Sequence, residues 1–173
     1  MDKSHPKPIA QAFEPILGKP AWQVKQGYGS FLTLEFGEPH LDIKGPVRRR
    51  GRMERIATVC GDWHLWIYCC GWDITQDGKH LANSESDIDT IRRATAWLDG
   101  QCLEKIWLEP GTVITHFEFD LGGVLKTYPY DEELNEQWYL YEPTGGVLGL
   151  RSDGLYSHGP GDTPPDEELW LPL

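Results

Sequence analysis

Two carboxylates sit in nearly matching surroundings: Glu35 in Leu-Thr-Leu-Glu-Phe (32–36) and Glu118 in Thr-His-Phe-Glu-Phe (115–119). Paired carboxylates on facing elements are what a glycosidase needs, one donating a proton and the other acting as base or nucleophile. His116 shares a strand face with Glu118 and can shift its neighbour's pKa. The competing reading is two solvated acids on exposed strand faces. A second constellation is aromatic. Trp63, Trp66 and Trp72 fall within ten residues, in a chain with eight tryptophans. In an extended strand His64, Trp66 and Tyr68 point one way, and Trp63, Leu65 and Ile67 the other. The first face can serve a sugar, a base or a partner's side chain, because aromatics supply area at low entropy cost. The alternative places the tryptophans in the core. Cys60, His64 and Cys70 could supply three zinc ligands, but tetrahedral sites favour closer ligand pairs. Reduced, buried cysteines acting as small hydrophobes are expected instead at Cys60, Cys69, Cys70 and Cys102. No GxGxxG, Walker loop, HExxH or GxSxG occurs, so neither a cofactor nor a metal is expected.

Charge narrows the partners. Sixteen basic residues stand against 27 acidic ones, a formal net charge of −11. Such a surface repels nucleic acid and anionic lipid and attracts basic proteins. Five of the eight arginines lie between Arg48 and Arg55. Arg48, Arg49, Arg50 and Arg52 could grip an anion or an acidic partner, or fold back onto the chain's own acidic half. Asp131, Glu132, Glu133 and Glu136 form an acidic stretch suited to a basic partner.

These groups must be held by a folded body. At 173 residues and 19.7 kDa, scaling gives about 8,600 Å² of surface when folded, with about 70% of the unfolded surface buried. The aromatic content, 12%, opposes disorder. No apolar run reaches the length of a membrane span. The start, Met-Asp-Lys-Ser-His-Pro-Lys-Pro, lacks the apolar stretch of a signal peptide. A soluble, cytoplasmic globular protein is expected.

Period-2 alternation makes Ser30–Phe36 and Val113–Asp120 half-buried strands. Gly122-Gly123 turns the latter into Val124–Tyr128. Trp63–Cys70 reads as a central strand, and Asp77-Gly78 and Asp153-Gly154 as turns. Ile88, Ile91, Thr95 and Leu98 have helical spacing, with Ser86 as N-cap and Gly100 past the end. Two ordered anchors repeat: Leu17-Gly18 with Phe31–Phe36 echoes Gly100 with Val113–Phe119, and Trp63–Trp66 with Asp77-Gly78 echoes Trp138–Tyr141 with Asp153-Gly154. The expected fold is α+β and mainly antiparallel: two related β-meanders, about 16–83 and 98–158, joined by a single helix near 86–98. An extended N-terminal arm (1–15) precedes them and an acidic Pro/Gly-rich tail (159–173) follows, with Leu169-Trp170-Leu171 docked back.

The segments Leu17-Gly18 with Phe31-Leu32-Thr33-Leu34-Glu35-Phe36, and Phe117-Glu118-Phe119-Asp120-Leu121-Gly122-Gly123-Val124-Leu125, resemble a loose group of small bacterial β-rich domains. Some of these are encoded beside toxin genes and classed as immunity proteins. The resemblance covers about a third of the chain and implies no catalytic residue. It implies a stoichiometric inhibitor, so the leading expectation is a non-enzymatic binding protein for a basic toxin or other basic protein. The second is a small-molecule or carbohydrate-active domain around Glu35, His64, Trp66, His116 and Glu118.

Overall fold

The computed structural model describes residues 6–173. The chain is mostly antiparallel β, arranged as two large sheets and a separate two-stranded arm. Its strands are β1 (Trp22–Gln26), β2 (Leu32–Phe36), β3 (His40–Arg49), β4 (Arg52–Cys60), β5 (Trp63–Ile67), β6 (Gly71–Gln76), β7 (Lys79–Asn83), β8 (Leu103–Leu108), β9 (Thr115–Phe119), β10 (Gly123–Tyr128), β11 (Glu136–Tyr141), β12 (Gly146–Arg151), β13 (Leu155–Pro160) and β14 (Leu171–Pro172). One sheet runs β1-β2-β5-β11-β12-β13-β14 and the other β7-β6-β10-β9-β8. Each sheet takes strands from both halves of the chain. β5 pairs with β11, and β10 pairs with β6. Trp63 and Trp138 thus lie on neighbouring strands of one sheet.

Alternation explains the packing. Leu32, Leu34, Leu65, Ile67, Trp138, Leu140, Leu148 and Leu150 form the inner face of the first sheet. Ile74, Phe117, Leu125 and Ile106 form that of the second. Phe117 meets Trp138 across the gap at 6.0 Å, edge to face. The Trp138 indole donates to Thr115 Oγ1 at 3.1 Å, giving its buried N–H the partner it requires.

Two α-helices close the core among the described residues, where the sequence indicates one. Helix α1 (Lys7–Phe13) replaces the expected extended arm over those residues; residues 1–5 lie outside the described part. The prolines that read as extended chain sit at its cap and first turn, where a missing N–H costs nothing. Ile9, Ala12 and Phe13 face inward at helical spacing. Phe13 touches both Phe117 and Trp138, at 5.9 and 5.6 Å, so it wedges between the sheets. Helix α2 (Ile88–Leu98) packs on β1, β6, β7 and β10 through Ile91, Ala94, Thr95 and Leu98. Asp87, not Ser86, is its N-cap and accepts the amides of Asp89 and Thr90. Ser86 instead closes a turn with Asn83.

The tail returns as expected at its end: β14 pairs with β13, and Trp170 lies under the Arg151 guanidinium at 4.7 Å. Asp77-Gly78 turns β6 into β7 with both residues at positive φ. No helix among the described residues is long and apolar enough to cross a membrane.

Candidate functional site

The outward face of the first sheet carries the densest cluster of side chains able to bind something. Cross-strand register sets Thr33, Trp66 and Tyr139 in one row, and Glu35, His64 and Tyr141 in the next. Trp66 and Tyr68 are 4.5 Å apart, and Phe31 contacts both. Tyr139 joins Tyr68 to Tyr141, and exposed Tyr28 extends the band through Phe31. The alternation of His64, Trp66 and Tyr68 against Leu65 and Ile67 is therefore as the sequence indicates. Only Trp72 and Trp138 are fully buried tryptophans, so the core is not where most of the eight reside.

Beyond Tyr139 and Tyr141 the band opens into a trough of about 390 Å³. Ser157, Gly159 and Gly161 line it with little bulk, and buried Gly149 lies against the ring of its wall residue Tyr139. A Cβ on Gly149 would sit 2.9 Å from the Tyr139 ring and 3.5 Å from Trp170. The returning tail forms the opposite wall with Glu167, Glu168 and Leu169. Burial raises the phenol pKa values of Tyr139 and Tyr141, and for Tyr139 the Glu136 and Glu168 carboxylates add to it. Both phenols stay protonated near neutral pH and are able to donate hydrogen bonds. Aromatic walls bordered by carboxylates suit a guanidinium or ammonium group, which gains both cation–π and ionic contact.

Of the acidic stretch, Glu136 reaches this face: its charge also acts on Tyr68 and Cys69. Asp131, Glu132 and Glu133 stand exposed in the loop between β10 and β11. Phe31, Tyr139, Tyr141 and the tail carboxylates are members that sequence reasoning left out. The alternation of Trp138, Tyr139, Leu140 and Tyr141 was the available signal for the two tyrosines.

The carboxylate pair does not converge. Glu35 and Glu118 lie on different sheets, each on the outward face, so they point away from one another. Glu35 is 3% exposed; its Oε1 lies 2.6 Å from His64 Nδ1 and its Oε2 accepts the Gly61 amide at 3.0 Å. Glu118 accepts the Trp107 indole N–H at 2.6 Å. Trp107 also stacks flat on His116, with centroids 4.0 Å apart, and so bridges the two. His116 in turn bonds Glu109 at 2.9 Å, and Lys126 pairs with the same carboxylate at 3.1 Å. These bonds hold the Glu109 carboxyl below its usual pKa.

The arginines occupy β3, β4 and, at Arg50, the turn between them. Their ion pairs among the described residues are local, Arg49 and Arg52 with Glu54. They do not fold back on the chain's acidic half. All four cysteines are free, but only Cys70 is buried, with its Sγ on the Gln137 carbonyl. Cys60 ends β4, His64 is committed to Glu35 and Cys70 faces inward, so the three do not form a ligand set. No group of three potential ligands occurs among the described residues. Comparison with family models, curated proteins and solved structures finds no match to this chain.

Proposed function

We propose that the protein is a non-enzymatic binding protein that captures a basic protein, in the manner of an immunity-type inhibitor. One observation carries this reading: a band of aromatics leading into a trough walled by Glu167 and Glu168, with the charge of Glu136 acting on Tyr139 beside it. An arginine or lysine of the partner would enter between Tyr139 and Tyr141 and pair with the tail carboxylates. The net charge of −11 steers such a partner inward. The exposed acids Asp131, Glu132 and Glu133 add to the long-range field.

The test compares two baits in the lysate of the host: the wild-type chain and a Tyr139→Ala/Glu167→Lys/Glu168→Lys variant, each eluted by rising salt. A basic protein held in stoichiometric amount by the wild type and lost by the variant supports the reading. Equal retention on both baits overturns this face as the site.

We also propose that the chain arose by internal duplication, with α2 as the bridge between copies. Support comes from two antiparallel three-strand ladders, β1-β2-β5 and β8-β9-β10, with Glu35 and Glu118 at matching places on β2 and β9. Under this scheme β5 corresponds to β10, and the Trp63/Trp138 likeness reflects neighbouring roles in one sheet.

A further inference from the structure

The arm formed by β3 and β4 lies outside the proposed binding face and has its own chemistry. Among the described residues the two strands pair only with each other, His40 opposite Cys60 and Arg49 opposite Arg52. Register divides the arm into two faces. Asp42, Lys44, Glu54, Arg49 and Arg52 share one, where the ion pairs form. Leu41, Ile43, Val59 and Met53 share the other with Arg48 and Arg55, and the four apolar side chains are 59%, 56%, 43% and 57% exposed. An apolar stripe of this size on an unpaired ribbon marks an interaction surface.

The arm is not a loose loop. At its root Glu35 fixes the Gly61 amide, Asp62 accepts the Glu38 amide at 2.9 Å, and Trp22 donates to the Gly37 carbonyl at 3.1 Å. A Cβ at Gly61 would stand 2.5 Å from the Phe36 carbonyl, so the crossing is tight. The exposed stripe is thus held out in a defined direction.

Charge identifies the occupant. The arm carries six of the 16 basic residues and two of the 27 acidic ones, leaving +4 on the arm and −15 on the remainder. The body of a second copy offers the opposite charge to the arm, and its Asp131–Glu133 loop stands exposed to receive the basic tip. The arm leaves at the Phe36/Trp63 end of the first sheet, and the Asp131–Glu133 loop opens near the Ile67/Trp138 end. Ten residues of strand reach roughly 33 Å, against about 17–20 Å for the five- or six-residue strands of the body. An arm lying antiparallel along a second copy therefore carries its arginines to that copy's far end.

We propose that two copies exchange arms about a twofold axis, each laying the Leu41/Ile43/Met53/Val59 stripe on its partner and Arg48 and Arg50 against the partner's Asp131–Glu133 loop. The interface is self-complementary and closes without further growth.

Sedimentation equilibrium of the full chain at low and high salt tests this. A dimer that weakens with salt is expected for the wild type. Leu41→Asp/Ile43→Asp should weaken it by about tenfold or more, as loss of a buried apolar anchor does. Arg48→Glu/Arg50→Glu and Asp131→Lys/Glu132→Lys/Glu133→Lys should each be monomeric alone, yet dimerise when mixed. Every altered side chain is exposed or half-exposed, and an unchanged melting temperature confirms an intact body. A wild type that stays monomeric, or whose dimer ignores the arm substitutions, overturns the proposal. So does a monomer that instead co-sediments with phosphatidylglycerol vesicles or duplex DNA.

Discussion

Glu35 and His64 face each other across β2 and β5, with Oε1 and Nδ1 2.6 Å apart, although both side chains lie on the outward side of the sheet. The carboxylate is nevertheless buried, and its second oxygen holds the first residue after the arm. Its role is therefore to position the arm. Replacing Glu35 with Ala leaves His64 and the Gly61 amide without their acceptor, a loss of about 1–3 kcal/mol. Urea denaturation should show the lower midpoint, and hydrogen exchange should quicken at the Gly61 amide while the β11 amides stay protected.

Glu109 offers a pH signature. The imidazole of His116 and then the ammonium of Lys126 hold its carboxyl below the ordinary value. A carboxyl whose folded pKa is depressed stabilises the fold above its unfolded pKa, near 4.3, and that contribution vanishes as pH falls through the folded value. The melting temperature of the wild type should exceed that of Glu109→Gln near neutrality, and the difference should shrink on acidification below about pH 4. A gap that persists unchanged in acid would show that the ion pairs are not its source.

Phe13 tests the wedge. It is fully buried and touches an aromatic ring on each sheet. Phe13→Ala should cost about 3–5 kcal/mol, since the sheets cannot close on the space it leaves without moving Trp138. Phe13→Leu should cost clearly less. Chemical denaturation of both variants measures the contrast.

Gly149 seats Tyr139, which walls the trough. Because an added methyl would press on the Tyr139 ring at 2.9 Å, Gly149→Ala should displace Tyr139 toward the tail and reduce capture of a basic partner. Moving a half-buried ring is overpacking, so stability should also fall, by about 1–3 kcal/mol. Binding and melting measured on the same preparation separate the two effects.

Strand alternation was readable wherever one face was apolar: β2, β5, β9 and β10 follow directly from Leu34, Leu65, Phe117 and Leu125. Helix α2 was equally plain from Ile91, Thr95 and Leu98, although its cap shifted by one residue to Asp87. Helix α1 was hidden because Pro6 and Pro8 signal extended chain unless they fall in a first turn. The arm was missed because Leu41, Ile43, Val59 and Met53 alternate as a half-buried strand does, and local pattern cannot reveal that nothing covers them. The sheet order was also illegible. Whether β5 joins β11 or β10 depends on contacts about seventy residues apart, which a local period does not encode. The trough depended on that order, since Tyr139 meets Trp66 only through this pairing.

The opposition of His40 and Cys60 bears on how the chain reaches its fold. A hairpin forms from neighbouring residues in microseconds, and this one, once zipped, delivers Phe36 beside Trp63. The β2–β5 ladder then closes as a short loop would, independent of how many residues lie beyond the root. The base of the hairpin and the β2–β5 ladder share one register, so lengthening or shortening the tip leaves the pairing of the ladder unchanged.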